Sequence, residues 1–229
     1  MQARSSTIQK IEKKITDRQI VAEQPITGAG RVEREHSMPF QIAIDGLIAA
    51  GKGTVARLVA EHLDLLYVDT GAMYRATALL AKEHGIRWDD EDNLAKLVSE
   101  SEMILHKPAG QEIDGRLITV ILNGKDVSWE IRGPVGTEGS SVVAQHAKVR
   151  QELVKKQQAL AATSDVIMEG RDITYRVLPN AQIKIYLTAS IDVRAKRRYL
   201  EELEKQKKAQ EIPGYEKKGI TYEKVYSTI

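Results

Sequence analysis

Residues 40–63, FQIAIDGLIAAGKGTVARLVAEHL, join a short apolar run to a glycine-bounded loop and then to a segment of helical period. The stretch reads as strand, loop, helix. Gly46, four residues (Leu47, Ile48, Ala49, Ala50), Gly51 and Lys52 match the P-loop pattern as far as the lysine. Gly53 stands where serine or threonine is usual, and Thr54 follows one place later. Glycine suits such a loop because the backbone must approach an anion closely, in dihedrals that side chains disfavour. The backbone N–H groups of residues 46–54 then converge on phosphate oxygens, the helix adds its positive end, and Lys52 reaches the β/γ-phosphates. A glycine-rich turn that binds nothing is the alternative. The apolar strand before the loop and VARLVAEHL after it favour phosphate. With no hydroxyl directly after the lysine, Thr54 or water must take that role toward Mg²⁺.

At 229 residues the chain suits one domain with a small insertion. Lys and Arg total 34 against 32 Asp and Glu, so no global field favours nucleic acid or an anionic membrane. With no cysteine, disulfides, zinc ribbons and thiolate nucleophiles are excluded. No apolar run reaches membrane-spanning length. A cytoplasmic setting is expected. Helical segments alternating with short strands argue for an α/β fold.

Residues 1–37 are polar and read as a disordered extension, with the domain beginning at Met38. After the first helix, residues 65–68 form a second apolar run. Asp69, Thr70 and Gly71 make its polar exit into a helix over 72–84. That repeats the strand, loop, helix order and places Asp69, Thr70 and Arg75 at a strand end, where ligands of parallel sheets gather. Arg75 taken alone would be a surface arginine. Residues 103–134, within a unit at about 88–138, read as a small inserted β region turning at Asn123-Gly124. Residues 140–162 return to helical period with Val142, Val143, Val149, Leu153 and Leu160 inward. Ser141 and Arg150 lie on that helix; on position alone, capping and a solvated face suit them as well as ligand contact does. A strand at 166–168 closes on Glu169-Gly170-Arg171-Asp172. Beside a phosphate loop, Glu169 could hold Mg²⁺ or its waters and Arg171 could stabilise phosphoryl charge. Alone, the same four residues would be a salt-bridged turn. A fourth strand at 181–187 leads to a charged helix at 191–208, with Arg194, Arg197 and Arg198 near its start, a composition suited to a lid over ATP.

IAIDGLIAAGKGTVARLVAEHLDLLYVDTGAMYRATAL, NGKDVSWEIR, EGRDI and VLPNAQIKIYLTAS with the RAKRR helix, in that order, resemble bacterial cytidylate kinase, the CMP and dCMP kinase of the P-loop nucleoside monophosphate kinase family. The resemblance runs from about Met38 to the end. It implies a P-loop parallel sheet flanked by helices, a small β-rich monophosphate-binding insert and a helical lid at about 191–218. It implies ATP as donor, Mg²⁺ as cofactor, and CMP or dCMP as acceptor. Gly46 to Thr54 would hold ATP, in the GKGT form that some members use. Thr70, Arg75, Ser141, Arg150, Arg171 and Asp172 would hold CMP, with Ser141, Arg150 and Asp172 on the cytosine. Lys52, Arg171, Arg194 and Arg198 would stabilise the transferring group, with Thr54 and Glu169 toward the metal. A monomer acting on free nucleotides is expected, with no polymeric nucleic acid or membrane.

Two departures stand out. EGRDI continues as Thr174, Tyr175, Arg176, where the family has glycine first. The C-terminal strand and helix of the family also find no counterpart, so the sheet is expected to expose an edge. Two rival readings remain at this level: another P-loop kinase of small molecules, and a truncated nucleotide-binding fragment without catalysis.

Overall fold

The computed structural model describes residues 38–209 and 219–229, so the expected extension at 1–37 and the far part of the expected lid, 210–218, lie outside the described residues. In chain order the elements are β1 (Gln41–Gly46), α1 (Lys52–Leu63), β2 (Leu66–Asp69), α2 (Thr70–Glu83), α3 (Glu91–Glu100), β3 (Met103–His106), β4 (Thr119–Leu122), β5 (Lys125–Asp126), α4 (Pro134–Val143), α5 (Ala147–Thr163), β6 (Val166–Gly170), β7 (Ile183–Leu187), α6 (Ile191–Ala209) and α7 (Tyr222–Ser227).

β1, β2, β6 and β7 form a parallel sheet in the order β2-β6-β1-β7. Their short, nearly continuous apolar runs fit strands buried on both faces. On one face Ile42, Ile44, Tyr67 and Ile167 pack with Ala56 and Val59 of α1. On the other, Ala43, Val68 and Met168 pack with Met73, Ala76 and Leu80 of α2 and with Leu153 of α5. Register sets Asp45 beside Gly170, Asp69 beside Glu169, and Gly46 beside Leu187, so every polar exit lies at one end of the sheet. Among the described residues β7 has a single strand neighbour, β1, and Tyr186 on it is 66% exposed.

β3, β4 and β5 make the small antiparallel sheet expected from the insert. Asn123 and Gly124 both have positive φ, 48° and 80°, as a two-residue hairpin turn of this hand requires. Leu105, Val120 and Leu122 belong to the same apolar cluster as Val68 and Leu80, so the insert shares a core with the main sheet.

The helix expected over 140–162 is instead two helices, α4 and α5, parted at residues 144–146. Val143 and Val149 are both fully buried, yet six residues along one straight helix would point about 120° apart. The break reconciles them. Gln145 and His146 donate their N–H groups to Val142 and Val143 in a tightened turn, and the His146 ring lies 2.9 Å from the Trp88 carbonyl. Arg150, from the first turn of α5, donates to the released Ala144 and Gln145 carbonyls at 3.1 and 3.3 Å.

Candidate active site at the phosphate loop

The loop between β1 and α1 is held open by backbone conformation. Gly46 has φ 154°, and a Cβ on it would stand 2.1 Å from the Leu187 carbonyl oxygen. Only a residue without a side chain lets β1 turn there. Gly51, with φ 98°, is the N-cap of α1 and provides no side-chain cap; the first turn carries no acidic residue. The first N–H groups of α1 are therefore left for an outside acceptor, and the helix dipole favours an anion. Lys52 opens α1 and its side chain reaches back over the loop, its Nζ donating to the Gly46 and Leu47 carbonyls at 3.0 and 3.2 Å. Burial lowers its pKa, with Arg171 adding to the effect and Glu169, Asp69 and Asp45 opposing it.

Glu169, at the end of β6, accepts from the Tyr67 hydroxyl at 3.2 Å. Burial, then the neighbouring Asp69, raises its carboxyl to about 7, with Lys52 opposing. Asp69 caps α2 through the Gly71 N–H at 2.9 Å and pairs with Arg75 at 2.6 Å. Arg75 Nε is buried without a partner, so this guanidinium keeps an unused donor. The buried Thr70 donates its hydroxyl to the Glu169 carbonyl at 3.0 Å.

A second group forms beside the first. Asp172 lies 3.7 Å from Arg176, and Asp172, Arg150 and Arg176 all act on the charge of Tyr74, whose hydroxyl is raised to about 12 mainly by burial. Arg150 Nε is also buried and unpartnered. Ser141, exposed on α4, donates to the Glu138 carbonyl at 3.0 Å. Arg171 is exposed, and its charge reaches Lys52.

The lid arginines divide. Arg197 Nη1 donates to the Ala50 carbonyl at 2.9 Å, directly over the loop. Arg194 is 6% exposed and donates to the Ile229 carbonyl beyond α7, while Arg198 is paired with Glu201 and Glu202 on its own helix. Of the three arginines expected near the start of the lid helix, Arg197 is the one seated on the loop. A helix face turns by about 100° per residue, and residues three apart need not meet the same neighbour. Beyond Arg197 a cleft of about 680 Å³ opens, lined by Thr54, Val55, Leu58, Tyr186 and Leu200 among others. Tyr67, Tyr74 and Asp45 at this end of the sheet were not singled out from the sequence. Asp45 had one visible sign, a carboxylate closing an otherwise apolar strand.

The open end of α1 with Lys52 suits a polyphosphate, and the Arg75 and Arg171 guanidinium groups at the same sheet end suit a second anion. A family model described as cytidylate kinase matches residues 42–216. The chain is 49% identical over 162 residues to a cytidylate kinase of Lysinibacillus sphaericus, an alignment covering 71% of this chain and 70% of that protein. It is 46% identical over 166 residues to one of Leuconostoc mesenteroides, covering 72% and 71%. It is 48% identical over 162 residues to one of Geobacillus thermodenitrificans, covering 71% and 70%. With an uncapped phosphate loop at the end of a parallel sheet and this extent of similarity, the chain belongs to the cytidylate kinase family.

Proposed function

We propose that this chain transfers the γ-phosphoryl group of ATP to CMP, and to dCMP, giving CDP or dCDP and ADP. One arrangement carries the reading. The open N-terminus of α1 with Lys52 stands at the same sheet end as Thr70, Arg75, Arg171 and Asp172.

A phosphate oxygen of CMP attacks the γ-phosphorus as the bond to the β,γ-bridging oxygen breaks, and ADP leaves with that electron pair. No protein nucleophile is needed. The backbone N–H groups of residues 46–54 and Lys52 hold the donor phosphates, and Arg197 lies over the loop from above. Arg75 and Arg171 hold the acceptor phosphate, with Thr70 beside the acceptor nucleotide. Cytosine offers an amine to Asp172, while Arg150 donates to its carbonyl and ring nitrogen and Ser141 lies alongside. Uracil would set a carbonyl against Asp172, leaving buried polar groups unpaired at about 1–3 kcal/mol each.

Among the described residues no group of three or more His, Cys, Asp and Glu forms a metal cage. Mg²⁺ commonly takes one or two carboxylates plus substrate phosphates. Glu169, raised to about 7 by burial and by Asp69, fits a cation that would restore its charge, with Thr54 in the first turn of α1. Bound there, the ion would neutralise charge across the β- and γ-oxygens.

The insert at 88–138 frames the acceptor side and α6 acts as the lid. The partners are the nucleotides themselves, and the chain works as a cytoplasmic monomer; no helix among the described residues is long and apolar enough to cross a membrane. ADP release with Mg·ATP and, separately, CMP, dCMP, UMP and AMP tests the proposal. Selective turnover of CMP and dCMP that Lys52→Ala removes is expected. Equal use of UMP, or no CMP turnover by a folded chain that binds ATP, would refute it.

A further inference from the structure

Thr174, Tyr175 and Arg176 follow Asp172-Ile173, and the structure gives two of them side-chain partners. Asp45, the last residue before Gly46, is a carboxylate only 2% exposed. Its Oδ1 accepts the Ile173 N–H at 2.8 Å, and its Oδ2 accepts both the Thr174 N–H at 2.8 Å and the Thr174 hydroxyl at 2.5 Å. A buried carboxylate needs such donors, because each one replaces water lost on burial. The third donor exists only because residue 174 has a side chain.

The turn fixed in this way, Ile173–Val177, is continuous with Asp172. The Asp172 carbonyl accepts the Arg176 and Val177 N–H groups at 3.0 and 3.4 Å, and Arg176 Nε stands 3.7 Å from Asp172 Oδ2. Asp172 is therefore tied by its backbone and its carboxylate to a turn whose first residues are clamped to the phosphate-loop strand. We infer that Thr174, acting through Asp45, is a positioning residue that sets the Asp172 carboxylate for the acceptor base. The inference rests on the reading of Asp172 as the cytosine contact.

Thr174→Val keeps the shape of the side chain and removes the hydroxyl donor. CMP affinity, by calorimetry, should weaken about tenfold as the Asp172 carboxylate loses its set position, and KM for CMP should follow. KM for ATP should stay within about twofold, because the loop's own bonds are untouched. Thr174→Ser should restore CMP affinity. Thr174→Ala, which removes the hydroxyl without burying a second methyl group against Asp45 and keeps the backbone N–H bond, carries the same expectation as Thr174→Val and serves if that variant fails to fold. Unchanged CMP affinity in both variants, an equal loss for ATP and CMP, or no rescue by serine would each overturn the inference. If the wild-type chain binds ATP but not CMP, the proposed function falls and this inference with it. If it turns over CMP while Thr174→Val is silent, this inference alone falls.

Discussion

Tyr67 donates its hydroxyl to Glu169 Oε1 at 3.2 Å, beside Gly53, where an added Cβ would lie 3.0 Å from that oxygen and 3.3 Å from the tyrosine oxygen. The missing side chain after Lys52 is thus matched by a tyrosine and a glutamate reaching in from β2 and β6. The position where many phosphate loops place a hydroxyl is bordered by one from another strand.

Glu169 should give a measurable pH signature. Burial and Asp69 raise its carboxyl from the usual 4.5 to about 7, so between those values the folded chain holds a proton that the unfolded chain has released. Its contribution is fully present below 4.5 and is lost as pH rises toward 7. Relative to Glu169→Gln, the wild type should lose about 3 kcal/mol of unfolding free energy between about pH 4 and pH 8. Parallel urea-unfolding stabilities across that range would contradict it. Because the tyrosine bond lowers this pKa, Tyr67→Phe should move the same loss to higher pH.

Lys52→Ala should reduce turnover at least about 100-fold, the scale of removing one electrostatic contact to a phosphoryl transition state. Far-ultraviolet circular dichroism should remain that of the wild type, since Lys52 bonds only loop carbonyls. A loss below about tenfold in steady-state turnover would remove Lys52 from the chemistry.

Gly46→Ala should be among the most damaging single changes. Its Cβ would meet the Leu187 carbonyl oxygen at 2.1 Å, and φ 154° is strained for any side chain. A loss of about 4 kcal/mol or an insoluble product is expected. Gly124→Ala in the hairpin meets no atom within 4 Å, and its φ of 80° alone should cost about 1–2 kcal/mol. Thermal melts of the two variants check the order, which equal losses would contradict.

The two arginines three residues apart on α6 should separate by assay. Arg197→Ala removes the donor over Ala50 and should raise KM for ATP about tenfold with a near-normal melting temperature. Arg194→Ala empties a buried site against Ile229 and should lower the melting temperature by about 4 °C or more, with a smaller change in KM for ATP. Reversed outcomes would return Arg194 to the phosphates.

The strands, the phosphate loop and the Asn123-Gly124 turn were legible because each depends on neighbours in the chain: an apolar run, a left-handed backbone, a helix-period face. Gly46, Lys52 and Asp69 lie where their spacing put them. The split of α4 from α5 was not legible, since no glycine or proline marks residues 144–146 and the break answers to Trp88, Val143 and Val149 in three dimensions.

The sequence by itself determined that this chain folds strand, phosphate loop, helix, and that its carboxylates and arginines follow strand ends. Those are consequences of local backbone geometry and of burying apolar faces. Tertiary structure alone decided that Arg197 rather than Arg194 lies on the loop, that Tyr67 borders Gly53, and that Asp45 clamps Thr174. Asp45 and Thr174 are 129 positions apart, and such partners are chosen by strand order and register, which no local pattern encodes.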